Sequence, residues 1–119
     1  MNIPVAEMRE PTYFVLASLL DGPLHGYAII KRAAELSGGR VRMATGTLYT
    51  ALDRLAGEGY VQVVREEIVN GRARRSYGLT EPGAAALRAE AERMAAAAQL
   101  VTGPRRVPRG TASRKARPA

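Results

Sequence analysis

Residues 44–79 constrain the fold of this chain most strongly, because a helical pattern there runs directly into a hairpin pattern. Leu48, Leu52 and Leu55 recur at the spacing of one buried face of an α-helix. The pair Asn70-Gly71 then separates two segments that are able to form strands. Asn-Gly favours a type I′ turn, in which both central residues need positive φ. The sequence therefore predicts a helix followed directly by a two-stranded hairpin.

The predicted turn is followed at once by three arginines, Arg72, Arg74 and Arg75. Like charges this close repel each other unless an anion lies between them. One alternative is pairing with Glu66 and Glu67 on the opposite strand, and we expect one arginine to be paired in this way. An exposed ion pair contributes about 1 kcal/mol or less, so it can give way to a phosphate. We expect Arg72 and Arg74, nearest the tip, to contact the DNA backbone or the minor groove.

The helix before the hairpin has an outer face of small and polar residues. With the leucines turned inward, this face carries Gly46, Thr47, Thr50, Asp53 and Arg54. Small residues near the N-terminus let a helix lie deep in a major groove, and its free N–H groups can bind a phosphate. Thr47 and Thr50 can contact bases, Arg54 can reach a phosphate or a guanine, and Thr45 is expected to cap the helix. The alternative is a solvated face with capping threonines.

Together, the helix and the basic hairpin predict a winged helix-turn-helix, in an α+β fold that is mainly α with a small β-hairpin. The other helices are predicted at about 11–20, 26–36 and 81–101, and the strands at about 61–69 and 72–79. We expect a winged-helix DNA-binding domain in residues 1–80, a dimerisation helix in 81–102 and a disordered basic tail in 103–119.

Net charge gives weaker support for DNA binding than its value of +7 implies. Six of the 18 basic residues and none of the 11 acidic residues lie from Gly103 onward, which leaves 12 basic residues against 11 acids in residues 1–102. The expected folded part is therefore nearly neutral. Any interpretation as a DNA-binding protein must rest on where its arginines lie.

The residue types in the chain exclude most catalytic and metal chemistry. There is no cysteine and one histidine, His25, so thiolate catalysis, zinc fingers and disulfides are ruled out. His25 has no catalytic or metal-binding companions, and we expect it to cap or pack at the start of the second helix. We predict no enzyme activity, no catalytic residues, no metal and no cofactor. No apolar run is long enough for a membrane span and no signal peptide is recognisable, so we expect a cytoplasmic protein.

Two helices carry apolar surface that favours a dimer. The first is apolar nearly all round, and full burial in so small a domain usually needs a second subunit. In the fourth helix, apolar and small residues are separated by alternating gaps of three and four, as in a coiled-coil seam. The predicted dimer interface comprises Tyr13, Leu16, Leu20, Leu87, Ala91, Met94, Ala98 and Val101. The alternative is an alanine-rich fourth helix folded back on its own domain.

Three segments in this order resemble the PadR family of bacterial transcriptional regulators. They are GPLHGYAIIKRAAEL at 22–36, GTLYTALDRLAGEGYV at 46–61 and GRARRSYGLTEPGAAAL at 71–87. The resemblance covers roughly residues 11–100. It implies an N-terminal winged helix that binds a palindromic operator as a homodimer, usually as a repressor. It also implies that the C-terminal helices hold the dimer, with a contribution from the N-terminal helix.

The resemblance adds roles for two tyrosines. It places Tyr49, with Thr47, on the recognition helix and Tyr27 on the helix before it, where each tyrosine either contacts the DNA backbone or packs. The predicted DNA-contacting residues are Tyr27, Thr45, Gly46, Thr47, Tyr49, Thr50, Arg54, Arg72 and Arg74.

The chain also departs from the family pattern. A single C-terminal helix indicates a short member of the family. Met43-Ala44-Thr45 stands where many relatives have serine or proline, and the absence of tryptophan weakens the case for an aromatic effector pocket.

Two functional hypotheses follow from these features. The first is a dimeric, sequence-specific DNA-binding regulator that represses its own or a neighbouring operon, with a small-molecule effector as an open question. The second is a winged-helix ligand sensor or protein-interaction module without specific DNA binding, which the near-neutral charge of residues 1–102 keeps open.

Overall fold

The computed structural model describes residues 8–104, and the predicted tail lies outside the described residues from position 105 onward. These residues form four helices and a three-stranded antiparallel sheet of strand order β1-β3-β2. The elements are α1 (Glu10–Ala17), β1 (Leu24–His25), α2 (Gly26–Leu36), α3 (Thr45–Gly57), β2 (Val61–Val69), β3 (Arg72–Leu79) and α4 (Glu81–Thr102). The predicted α+β fold with a winged helix is confirmed.

Helix α1 ends earlier than predicted, and a short strand follows it. The Ser18 hydroxyl donates to the Val15 carbonyl at 2.6 Å, and the backbone N–H groups of Leu19 and Leu20 bond three residues back, at 3.0 and 3.1 Å. This tightened turn stops α1 before the predicted position 20. Strand β1 then pairs with the base of β3. A strand of two residues is too short to show the alternation of apolar and polar residues that marks a strand, so the sequence does not predict it.

The hydrophobic core lies between α3, the start of α4 and the base of the sheet. Leu48, Leu52 and Leu55 of α3 are at most 1% exposed, which confirms the predicted inward stripe. They pack with core side chains from the other elements: Val15, Leu16, Leu19, Ile29, Val61, Tyr77 and Leu87. Burying each leucine contributes about 1.5–3 kcal/mol, so this stripe fixes α3 in the domain. The opposite face of α3 is thereby turned to solvent.

The hairpin has the predicted turn. Asn70 and Gly71 have φ of 54° and 78°, the positive values that a type I′ turn requires. A β-bulge between Val63 and Arg65 shifts the register of β2 against β3. Beyond the bulge, Arg65 lies opposite Ser76, at the base of the projecting part of the hairpin. This hairpin, residues 61–79, is called the wing below.

Three predicted helix starts have different outcomes. The Thr80 hydroxyl accepts from the Gly83 N–H at 3.0 Å and so caps α4 as expected. His25 Nδ1 accepts from the Ala28 N–H at 3.4 Å, which confirms its capping role at α2. The prediction that Thr45 caps α3 is wrong. The N-cap is Ala44, whose side chain has no acceptor, and Thr45 is already helical.

Helix α4 is partly buried in its first half and exposed in its second half. Its first turns are packed on the domain, where Gly83 is required because a side chain there would collide with the Tyr60 carbonyl. Glu90 is the last buried residue of α4, and Arg93 pairs with its carboxylate at 2.5 Å. Residues 92–102 are all exposed. The folded-back alternative therefore describes the first half of α4 and not the second.

Among residues 8–104, no helix is both long and apolar enough to cross a lipid bilayer. Within the same range, no three histidine or carboxylate side chains are grouped so that they can hold a metal ion.

Candidate nucleic-acid interface

The outward face of α3 matches the residues predicted from the sequence. Gly46, Thr47, Thr50, Asp53 and Arg54 are all exposed. Because the N-cap is an alanine, no side-chain cap occupies the first N–H groups of α3. These donors stay available to an anion. Gly46 has no heavy atom within 4 Å of the position that a Cβ would take, so the protein itself does not require glycine there.

The wing arginines divide into a paired and an unpaired set. Arg75 Nε lies 3.2 Å from a Glu66 carboxylate oxygen, which confirms that one arginine is paired across the strands. Glu66, with a smaller effect from Tyr77, raises the pKa of Arg75 above its usual value. Arg72 and Arg74 are exposed and make no ion pair within the described part of the chain. Both remain available to a phosphate.

Arg65 belongs to the same face of the wing and was not among the predicted residues. It pairs in register with Ser76, and Ser76 shares its strand face with Arg72 and Arg74. Glu67 lies opposite Arg74 on that face, without an ion pair between them. Counting back from Asn70-Gly71 in steps of two would have found Arg65, because a two-residue turn sets the cross-strand register.

A cleft of about 530 Å³ separates the wing from the start of α2. Tyr27, Tyr49, Arg72 and Arg74 all line it, so the fold brings together four of the residues predicted to contact DNA. Tyr27 is 72% exposed and projects from the first turn of α2. The cleft therefore combines two unpaired guanidinium groups with two phenol rings.

Tyr49 forms the floor of this cleft. Its ring packs against Tyr77, with ring centroids 6.4 Å apart. Its hydroxyl lies against Gly26, in the space that a side chain at that position would need. Glycine at 26 therefore permits the close approach of α3 to α2. Tyr49 is still 38% exposed, so it both packs and presents a hydroxyl at the cleft surface.

Arg54 has a partner within the chain. Its Nη2 donates to the Thr12 hydroxyl of α1 at 3.1 Å. Nearby, the Arg40 guanidinium donates to both carboxylate oxygens of Glu10, at 2.9 and 3.0 Å. The hydrogen bond from Arg40 holds the pKa of Glu10 below its usual value. Both contacts join the first turn of α1 to the segment that contains α3.

The predicted dimer residues fall into three groups, which are exposed, half-buried and buried. Leu20, Met94 and Val101 are 63%, 44% and 84% exposed, and Ala98 is also exposed. Tyr13 and Ala91 are half-buried. Leu16 is fully buried in the core of the single chain, so it has no surface to offer a partner and its assignment is corrected. Leu87, at 5% exposed, likewise packs mainly within its own chain.

These features define a winged helix-turn-helix protein in which a wing rich in arginine accompanies an exposed face of α3. The profile of the "Transcriptional regulator PadR-like family" matches residues 15–89. The chain belongs to this PadR-like family, whose members are transcriptional regulators and not enzymes.

Two relatives and one solved structure show how far the similarity extends. The chain is 43% identical over 87 residues to an uncharacterized 37.1 kDa protein in transposon TN4556 of Streptomyces fradiae, which covers 73% of this chain and 24% of that protein. It is 40% identical over 73 residues to the transcriptional regulator Rv3488 of Mycobacterium tuberculosis, covering 61% of this chain and 64% of the relative. The chain thus spans less than two thirds of either relative.

The structure is also similar to Bacillus subtilis PadR, solved in complex with operator DNA. The TM-score is 0.61 at 24% identity, with 88% of this chain and 56% of that chain covered. At this identity the comparison supports the shared fold.

Proposed function

We propose that this chain is a homodimeric, sequence-specific DNA-binding protein that represses its own or a neighbouring operon. In the cytoplasm, two copies of α3 would enter successive major grooves of a palindromic operator, about 34 Å apart. The observation that carries the proposal is the cleft in which Tyr49 of α3 lies with the unpaired Arg72 and Arg74 of the wing. The same helix has an exposed start without a side-chain cap. A dimer bound over a promoter would repress by excluding polymerase.

In this proposal the start of α3 reads the DNA. Gly46 gives the helix a low profile, and Thr45, Thr47 and Thr50 lie on or beside the exposed stripe. Threonine can donate or accept at a base edge, and its methyl group can contact a thymine methyl. The free N–H groups of the first turn can bind one backbone phosphate.

The cleft would hold the sugar–phosphate strand between the two grooves. Arg72 and Arg74 would approach it from the wing, and Tyr27 from α2, because all three line the cleft. Such contacts fix the position of the protein on the duplex and add affinity that depends on salt.

The exposed half of α4 would join the two copies. Met94, Ala98 and Val101 keep the seam spacing, and Leu20 adds apolar surface at the end of α1. An exposed apolar stripe on an isolated helix is stable in water when a partner covers it. A second copy is the partner that also creates the two-fold symmetry of a palindrome.

A second candidate function is supported by the near balance of charge, 12 basic residues against 11 acids in residues 1–102. In that case the fold would serve a ligand or a protein, and nucleic-acid binding would come from the tail alone. Mobility shifts with a chain truncated after Pro104, on the DNA upstream of its own gene, separate the two. Specific retention supports the repressor, whereas tail-dependent binding without sequence preference supports the second candidate.

The wing assignment is tested by replacing its arginines one at a time. Arg72→Ala and Arg74→Ala are each expected to weaken operator binding. Each should also reduce the slope of log affinity against log salt by about 1.8, because one phosphate contact is lost from each copy of the dimer. The control is Arg75→Ala, because that arginine is already paired with Glu66. It should change the slope least. Unchanged affinity and slope for Arg72→Ala and Arg74→Ala would remove the wing from the DNA interface.

A further inference from the structure

The first turn of α1 makes two side-chain contacts with the segment that carries the recognition helix. Glu10 accepts two hydrogen bonds from Arg40, at 2.9 and 3.0 Å. Thr12, two residues further along the same turn, accepts a hydrogen bond from Arg54 at 3.1 Å. Both contacts therefore connect the segment that contains α3 to the same turn of α1.

One contact lies in the connection before α3 and the other in the last turn of α3. Arg40 is in the connection before α3, which begins at Thr45. Arg54 is in the last turn of α3. The recognition helix is therefore held to α1 on both sides of its DNA-facing residues. A helix that is held at one point can still pivot about that point. A second contact restricts this rotation.

Thr12 also decides where the Arg54 side chain goes. Thr12 is only 9% exposed, so its hydroxyl lies within the domain and not on the surface. A hydrogen bond from an ionised donor is stronger than a neutral one. Losing that donor is costly when the acceptor is buried, because no water replaces it. The guanidinium of Arg54 is thus directed to α1, and a DNA contact from Arg54 would leave the buried hydroxyl without this donor.

Helix α1 in turn packs against α4, the proposed dimerisation helix. Contacts therefore connect α4 through α1 to Arg40, which precedes α3, and to Arg54 in the last turn of α3. Any rotation of α3 relative to α1 would change the distance between the two recognition helices of a dimer. That distance must match the helical repeat of the DNA.

We infer that Glu10 and Thr12 are positioning residues for operator binding: through Arg40 and Arg54 they set the orientation of α3 relative to α1 and α4, without touching DNA. The inference rests on the proposed function, because it takes α3 as the recognition helix and α4 as the dimer arm. It also replaces the prediction that Arg54 contacts DNA. Arg54 supports the recognition surface from within.

The test is the preference of the protein for the native distance between operator half-sites. A residue that only stabilises the fold would not change this preference. Full-length protein is titrated against its operator and against operators lengthened or shortened by one base pair between the half-sites. Thr12→Val removes the hydroxyl and keeps the branched shape, and Thr12→Ser is the matched control that keeps the hydroxyl. Thr12→Val is expected to bind the native operator about tenfold more weakly, the order of one charge-assisted hydrogen bond. Its preference for native over altered spacing should fall by a similar factor, with the salt slope unchanged.

Glu10→Gln is the second variant, and it avoids any folding defect at a buried site because Glu10 is exposed. It should reduce the spacing preference in the same direction, and Thr12→Ser should behave as wild type. Wild-type spacing preference in both Thr12→Val and Glu10→Gln would overturn the inference. So would a loss of about 1.8 in salt slope for Arg54→Gln, since that is the result when a direct phosphate contact is lost from each copy of the dimer. If the wild-type chain fails to distinguish its operator from random DNA, the proposed function itself is wrong.

Discussion

Among single residues, Gly46 is a position where the residue best for folding and the residue best for DNA binding are expected to differ. No heavy atom lies within 4 Å of the place where its Cβ would be, so the protein has room for a side chain there. Glycine within a helix costs up to about 1 kcal/mol relative to alanine. Gly46 lies in the first turn of α3, where the proposed function brings DNA close to the helix. We therefore propose that glycine is kept at position 46 for this approach.

Gly46→Ala is therefore expected to raise the free energy of unfolding by up to about 1 kcal/mol and to weaken operator binding. The matched control is Gly57→Ala, in the same helix and also with open space at its Cβ position. It should stabilise the helix without changing affinity. Urea denaturation and mobility shifts measure the two quantities. Equal operator affinity in the two variants would show that DNA does not approach Gly46 closely.

Residue patterns predicted the site only in part. The inward leucines of α3 define its outward face, and the Asn70-Gly71 turn places Arg72 and Arg74 beside it, so these were predictable from local chemistry alone. The contact of Arg54 with Thr12 joins residues 42 positions apart. Spacing within one helix cannot show such a partner, because the angle at which α1 crosses α3 decides it.

At the scale of the elements, the contact between α1 and the loop before α3 depends on charge. The hydrogen bond from Arg40 lowers the pKa of Glu10 in the folded chain. The group therefore adds stability above the usual pKa of a glutamate, and this contribution is lost as the pH falls through the lowered value.

Wild type and Glu10→Gln are expected to differ in urea midpoint at about pH 7 and to converge at a pH below the lowered pKa of Glu10, where its carboxyl group is protonated. Glu58→Gln is the control, because Glu58 is exposed and forms no ion pair within residues 8–104. It should show no comparable change with pH. A difference for Glu10→Gln that persists undiminished at low pH would exclude the ion pair as its cause.

Elements with a strong internal period were predicted well, and those that depend on distant contacts were not. Helix α2 and both wing strands lie at the predicted positions. Strand β1 exists only because β3 offers it backbone partners at Tyr77 and Ser76. Helix α1 was predicted to be apolar enough for a dimer interface, but Leu16 serves the core of its own chain. Hydrophobicity shows that a residue is buried and does not show in which chain.

At the scale of the whole molecule, the proposal requires that α4 joins two copies through one face. Val101 and Leu100 are adjacent and similarly exposed, at 84% and 88%, but only Val101 lies on the seam. Val101→Glu would place like charges across a symmetric interface, and it is expected to raise the dimer dissociation constant more than about tenfold. Leu100→Glu is the control and should remain dimeric. Sedimentation equilibrium measures both, and dissociation by Leu100→Glu alone would mean that another face of α4 is used.

We propose that two copies of α3, flanked by their wings, read one face of a DNA duplex. Hydroxyl-radical footprinting of the full-length protein on the DNA upstream of its own gene tests this most directly. Two protected patches are expected on the same face of the duplex, with centres about 10 base pairs apart, and Arg72→Ala with Arg74→Ala should weaken the protection beside each patch. A single patch, or uniform protection without sequence preference, would contradict the account.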